Sequence, residues 1–313
     1  MTGRLRLAAL AAAVPPGART RFAPAPTGYL HLGHVANALV VWGLARLAGG
    51  TVVLRIEDHD RVRSRPAFEA ALLDDLAWLG FSADEPAPGP AVSGRGGSPA
   101  AYRQSDREAR YRAVLEALVA AGRVYGCRCS RATFARWREE HGRDWSGPGC
   151  PGGCRGLGLP LEPRTPLRVA VGDGVEPYRD LLHGPGAGAP DASGDVLVRD
   201  RDGNWTYHFA VVVDDLDQGI DLVVRGEDLL AATPLQLRLR RLLGGDPARL
   251  VFVHHPLVRA ADGRKLSKSA GDSGVRELRA AGWSPERVIG AAAAAIGLLD
   301  APRPIRFEDL LEG

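Results

Sequence analysis

The stretch from Arg21 to Ile56 constrains the fold of this chain more than any other. Arg21 to Ala25 reads as a short strand, followed by a Pro/Gly turn. From Gly33 to Ala48 apolar residues recur at helical spacing, and Gly49-Gly50 is a stop signal. Thr51 to Ile56 (TVVLRI) is then a β-rich run of the kind buried in a central strand. Alternation of strand and helix implies a parallel sheet, hence an α/β fold.

The alternation continues. Pro66 to Leu79 reads as a helix with Gly80 after it, and a further helix runs from about Asp106 to Ala121. Phe209 to Val213 and Leu222 to Val224 read as strands, 228–243 as a helix and 250–253 as a strand. The remainder, 275–313, is Ala-rich and mostly helical in pattern. Residues 85–100, rich in Pro, Gly and Ser, read as a loop. So does 184–194 (GPGAGAPDASG), whose prolines and missing flanking strand exclude a dinucleotide fingerprint. The stretch 125–155 has little periodicity.

A chain of 313 residues can bury a large core in two domains, or in one with an insertion. Its 45% apolar and 25% charged residues are those of a soluble globular protein. A net charge of +3 permits nucleic-acid contact without requiring it. No apolar run approaches the roughly 20 residues that span a bilayer. Arg4, Arg6 and the apolar stretch Leu7 to Val14 resemble a weak signal peptide. That stretch is short and runs within a few residues into the strand at Arg21, so an extension or a misassigned start is the preferred reading. A cytoplasmic location is the matching expectation.

Charge type carries a sharper message. Of the 40 basic residues only two are lysines, Lys265 and Lys268, both within Lys265-Leu266-Ser267-Lys268-Ser269. Lysine is a compact charge on a flexible stem, whereas arginine is a wide planar fork. Their survival in an arginine background points to a small mobile cation following a phosphoryl group. Far upstream, Arg21-Phe22-Ala23-Pro24 leads through a Pro/Gly turn to His31-Leu32-Gly33-His34 at a helix start. Helix N-termini favour anions, two histidines three apart can both face a triphosphate, and Gly33 lets a nucleotide lie against the backbone.

All four cysteines fall between residues 127 and 154, as Cys127-x-Cys129 and Cys150-x₃-Cys154. Close cysteine pairs on loops supply the four thiolates of a structural zinc site, and the Gly-rich turn 149–154 lets two sulfurs converge. Buried structural thiols rarely cluster so, and disulfides are disfavoured in a cytosol. His141 is a possible substitute ligand.

The His31-Leu32-Gly33-His34 and Lys265–Ser269 runs resemble the two signature motifs of class I aminoacyl-tRNA synthetases. Arg21-Phe22-Ala23-Pro24, Arg55-Ile56-Glu57-Asp58 and Val224-Arg225-Gly226-Glu227-Asp228 resemble the glutamyl branch, and the similarity spans residues 21 to about 300. Full-length members continue into anticodon-binding helical domains. This chain ends 44 residues after Ser269 and carries Val211 in Tyr207–Asp215 where those members typically carry Asn. It is therefore similar to the short paralogues, which activate glutamate without tRNA and esterify it to queuosine in the anticodon of tRNA(Asp).

The resemblance implies a Rossmann-type catalytic domain (21–105 and 205–270) after a variable extension (1–20). It implies an inserted acceptor-like subdomain with the zinc (106–204), a helical C-terminal region (271–313) and no anticodon-binding domain. In that scheme Arg225 reads the side-chain carboxylate of glutamate and Arg21 is a second fork. Glu57 pairs with the ammonium, Tyr207 walls the pocket, and backbone from Arg21 through Phe22, Ala23 and Pro24 to Ala25 lines it. Asp214 and Asp215 read as structural, at the end of a buried strand. The substrate carboxylate attacks the α-phosphorus of ATP. His31, Gly33 and His34 hold the nucleotide, and Lys268 stabilises the transition state with help from Lys265 and Ser267. Mg²⁺ accompanies ATP, one zinc is bound per chain, and a monomer is expected. One alternative within this chemistry is a truncated enzyme charging a tRNA 3′ end. Outside it stand a non-catalytic RNA-binding paralogue and a distant nucleotidyltransferase, which would not need Arg225 and Glu57 together.

Overall fold

The structure, a computed structural model, describes residues 5–85, 103–141, 150, 153–259 and 274–312. The chain opens with α1 (Leu7–Ala11), β1 (Arg19–Phe22), α2 (Leu32–Leu47), β2 (Thr51–Leu54) and α3 (Pro66–Trp78). A middle region follows: α4 (Glu108–Ala120), β3 (Val124–Gly126), α5 (Arg131–His141) and β4 (Leu167–Val169). Then come β5 (Glu176–Asp180), β6 (Gly184–Gly188), β7 (Val196–Arg199), α6 (Tyr207–Asp217), β8 (Leu222–Gly226), α7 (Thr233–Leu242), β9 (Val251–His255), α8 (Val275–Ala280) and α9 (Pro285–Ala295).

β1 pairs with β2 in parallel, and β5, β9 and β8 form a second parallel set with β6 antiparallel at its edge. The two sets meet where Asp221 N–H, at the start of β8, donates to the Arg19 carbonyl at 3.1 Å. From this junction the chain moves outward in opposite directions, β1 to β2 on one side and β8 to β9 on the other. A crevice opens at the carboxyl ends of strands at such a switch point. The apolar runs at 35–45 and 222–224 are buried because helices cover the sheet, with α9 and α1 packed on α2. Residues 5–14, set apart above as an extension, place Leu5, Leu7, Leu10, Ala11 and Val14 in this core. A separate antiparallel sheet, β3-β4-β7, joins α4 and α6 around a second core that includes Tyr111 and Trp205.

Three local expectations are corrected. Phe209 to Val213 is helix, not strand: it lies within α6, and all five residues are buried. A continuous apolar run has no period to distinguish helix from strand when every face is covered. Asp214 and Asp215 accordingly sit on a helix, not at a strand end. Residues 184–188 are strand, not loop. Tyr178 of β5 faces Gly186 of β6, and a β-carbon there would meet the Tyr178 ring at 2.4 Å. Glycine is needed in this strand so that the aromatic ring can lie across it. Third, the aperiodic cysteine region contains the helix α5. The loop expected at 85–100 lies, apart from Glu85, outside the described residues. Among the described residues no helix is long and apolar enough to cross a membrane.

Candidate active site and cysteine centre

A cavity of about 670 Å³ opens at the switch point. Of the residues singled out from sequence, it brings together Arg21, Ala23, Ala25, His31, Gly33, His34, Glu57, Tyr207 and Arg225. Alternation along the extended backbone turns Arg21, Ala23 and Ala25 toward it, while Phe22 and Pro24 are buried and do not line it. Phe22 instead packs on Trp42 with ring centroids 5.1 Å apart. Val211 is buried in the second core, one helical turn beyond Tyr207, and does not line the cavity either. Lys265, Ser267 and Lys268 lie outside the described residues. On either side of that segment, Val258 lines the cavity and Gly274 bridges to His31.

His31 caps α2. Its Nδ1 accepts from Gly33 N–H at 3.1 Å, and His34 Nδ1 accepts from His31 N–H at 3.1 Å. Both Nδ1 atoms are thereby acceptors, so each neutral ring carries its proton on Nε2. Gly33 makes this arrangement possible, because a β-carbon there would meet the His31 ring at 2.9 Å.

Beneath the cavity lies a buried charge network that sequence reasoning did not assign. Arg55, fully buried, donates from Nη1 to Asp215 and Gln218 at 2.8 Å each, and from Nη2 to Glu57 at 3.1 Å. Arg21 donates from Nε to Asp215 at 3.1 Å and from Nη1 to the Val224 carbonyl at 3.2 Å. Asp214 gathers Tyr111 O–H, Gln104 Nε2 and Arg107 Nε, and Gln104 reaches His59, which lines the cavity. Burial raises the Glu57 carboxyl above its ordinary value, although Arg55, His59 and Arg21 oppose it. Burial acts the same way on Asp215, but Arg21 and Arg55 outweigh it and hold that carboxyl low. The sequence pointed only to parts of this network: Asp214 and Asp215 read as structural, and Arg55 stands two residues before Glu57.

Arg225 is held differently. Its Nε donates to His254 Nε2 at 2.9 Å, and its Nη2 donates to Thr233 Oγ1 at 2.9 Å and to the Leu229 carbonyl at 3.3 Å. Its Nη1 donates to Gln236 Oε1. All these partners are uncharged, and no carboxylate of the described residues lies within ion-pair distance. Burial lowers the pKa of Arg225, although Tyr207 opposes it. A buried cation on a cavity wall without a counter-ion is a site for an anion.

The four sulfurs of Cys127, Cys129, Cys150 and Cys154 lie within 4.8 Å of one another. Cys129 Sγ is 3.7 Å from Cys150 Sγ and 3.5 Å from Cys154 Sγ. Tetrahedral Zn–S bonds of about 2.3 Å place sulfurs about 3.8 Å apart, so the donor set fits such an ion. Burial and neighbouring thiols push the Cys129 thiol up to about 12, which a dication would reverse.

The chain belongs to the class I tRNA synthetases of the E and Q type, whose catalytic domain matches residues 18–294. It is an ATP-dependent ligase of that class. Among its relatives, the glutamyl-Q tRNA(Asp) synthetase of Symbiobacterium thermophilum is 46% identical over 301 residues, covering 93% of this chain and 90% of the relative. The glutamate–tRNA ligase 2 of Halorhodospira halophila is 39% identical over 283 residues, covering 87% of this chain but 55% of the ligase. A crystal structure of a glutamate tRNA ligase from Elizabethkingia meningosepticum, in complex with its amino acid, superposes with a TM-score of 0.74 at 28% identity. It is matched over 95% of this chain and 64% of that one.

Proposed function

We propose that this ligase activates L-glutamate with ATP, without tRNA, and then transfers the glutamyl group to queuosine in the anticodon of tRNA(Asp). The observation that carries the glutamate reading is Arg225, a buried cation with uncharged partners, facing one cavity with Glu57 and Arg21. Glutamate offers a carboxylate for each arginine and an ammonium for Glu57. In this reading Arg225 takes the side-chain carboxylate, where a glutamine amide would present N–H donors to N–H donors. The ammonium restores the charge of Glu57, and Tyr207 closes the wall. The α-carboxylate attacks the α-phosphorus of ATP, pyrophosphate leaves, and no covalent enzyme intermediate is needed. His31 and His34 offer Nε2–H donors beside the α2 N-terminus, where the triphosphate and its Mg²⁺ would lie. Lys268, assisted by Lys265 and Ser267, neutralises charge developing on the phosphates.

The acceptor half rests on the higher identity and near-complete coverage shared with the glutamyl-Q relative. The competing reading, charging of a tRNA 3′ end, is supported by the glutamate–tRNA ligases at about 40% identity. In both readings the cysteine centre holds one structural zinc, a closed four-thiolate site that supports the middle region and leaves no position open for chemistry.

Glutamate-dependent ATP–pyrophosphate exchange without tRNA tests the first half, with Lys268→Ala as control. Exchange with glutamate, none with glutamine and none in the control is expected. Exchange that requires tRNA would favour the charging reading. Transfer of labelled glutamate to queuosine-containing tRNA(Asp) lacking its 3′ adenosine separates the acceptors, because only the anticodon reading predicts labelling. Elemental analysis should find one zinc per chain.

A further inference from the structure

Arg225, His254 and Asp180 form a line across three neighbouring parallel strands. Arg225 and His254 are paired partners in the register of β8 and β9, and Asp180 ends β5 beside them. His254 is fully buried, and its Nδ1 lies 2.6 Å from Asp180 Oδ2. Asp180 is fixed in turn, because its Oδ1 accepts from the backbone N–H of Leu182 and of His183 at 2.8 Å each. A carboxylate facing Nδ1 requires Nδ1–H, which leaves Nε2 bare to accept from Arg225 Nε at 2.9 Å. Phe252 lies beneath both groups, stacked on His254 and 5.6 Å below the Arg225 guanidinium.

We propose that Asp180 and His254 are positioning residues for recognition of the glutamate side chain. Asp180 selects the Nδ1–H tautomer of His254, and the bare Nε2 holds Arg225 on the cavity wall. Because the imidazole that touches the guanidinium is neutral, the charge of Arg225 is not spent on a protein carboxylate. It stays available for the substrate, while Asp180 supplies a negative charge one residue removed. This inference rests on the glutamate reading above and adds to it what sets the orientation of the arginine.

Two substitutions separate position from packing. His254→Asn keeps an amide near Asp180 but leaves Arg225 Nε without an acceptor. His254→Gln is long enough to return an oxygen to the Nε2 position. In tRNA-free ATP–pyrophosphate exchange, His254→Asn should raise KM for glutamate roughly tenfold or more, with kcat little changed and the preference over glutamine reduced. His254→Gln should recover most of that loss. If His254→Asn does not fold, Asp180→Asn takes its place and should give a smaller KM rise of the same kind. Equal KM values in the wild type and the Asn variant, or equal defects in the Asn and Gln variants, would overturn the proposal. So would a fall in kcat alone. Wild-type protein that gives no exchange with glutamate would instead overturn the function on which the proposal rests.

Discussion

Two buried arginines near one cavity are held in opposite ways. Arg55, directly after β2, sits among Glu57, Asp214 and Asp215 and has no surface left to offer. Arg225, at the end of β8, keeps 5% of its surface exposed, has only uncharged partners, and lines the cavity. Their protonation equilibria move in opposite directions. Burial disfavours the charge on both, but carboxylates reverse this at Arg55 and nothing does so at Arg225. Burial and residue type therefore do not distinguish these two arginines; the charge of their partners does.

The largest effect should come from Arg55→Met. It would strand Glu57 without its cation and leave Asp215 to Arg21 alone, at a cost of about 3–5 kcal/mol in unfolding free energy. Urea unfolding at pH 7 measures this. A loss below about 1 kcal/mol would mean that Arg55 is dispensable to the fold and would dissolve the contrast.

The two regions should also fail in different pH windows. His208 Nδ1 accepts from the Gln236 amide that in turn holds Arg225. Burial, then the charge of Arg225, lowers His208 from 6.5 to about 4. An imidazole depressed on folding contributes full stability above 6.5 and loses it as pH falls toward the folded value. The loss is of order 3 kcal/mol. The depressed carboxyl of Asp215, on the Arg55 side, contributes above its ordinary 3.8 and is lost only below that. Unfolding curves between pH 7 and pH 4 should be flatter for His208→Phe than for wild type. Parallel curves would remove His208 as the cause.

Next comes Arg225→Met. Loss of a charge-assisted contact to the substrate should cost roughly 1.5–3 kcal/mol in kcat/KM for glutamate, or about tenfold to a hundredfold. Stability should fall by less than in Arg55→Met, since no carboxylate is stranded. Exchange kinetics and urea unfolding on one preparation test both halves. A variant that loses stability but keeps its KM would place Arg225 with Arg55, as a structural residue.

What could be read from the chain beforehand follows the same division. Residues expected from short local patterns to touch a small ligand, Arg21, His31, His34, Glu57, Tyr207 and Arg225, lie around one cavity. Groups that support them come from distant segments. Asp180 and His254 are 74 residues apart, and Arg55 and Asp215 are 160 apart. No local pattern announces such pairs. The strand expected at Phe209–Val213 failed because a helix buried on every side loses its polar stripe. The loop expected at 184–188 failed because Gly186 answers to Tyr178 on the neighbouring strand.

Arg21 tests whether the division is sharp. It shares Asp215 with Arg55, yet like Arg225 it lines the cavity. Its fork is used twice by the protein, at Asp215 and at the Val224 carbonyl, so the substrate meets a cation already partly neutralised. A lysine can satisfy Asp215 or reach toward the cavity, but its single ammonium cannot keep the fork geometry of both. Arg21→Lys should therefore cost about 0.5–1.5 kcal/mol on each side, smaller than either neighbour's effect. The expected signature is a KM for glutamate raised severalfold together with a measurable drop in unfolding free energy. Paired losses would define a graded series from Arg55 through Arg21 to Arg225. A change in only one quantity would assign Arg21 wholly to the fold or wholly to the site, and would show that sharing a carboxylate does not by itself divide an arginine's role.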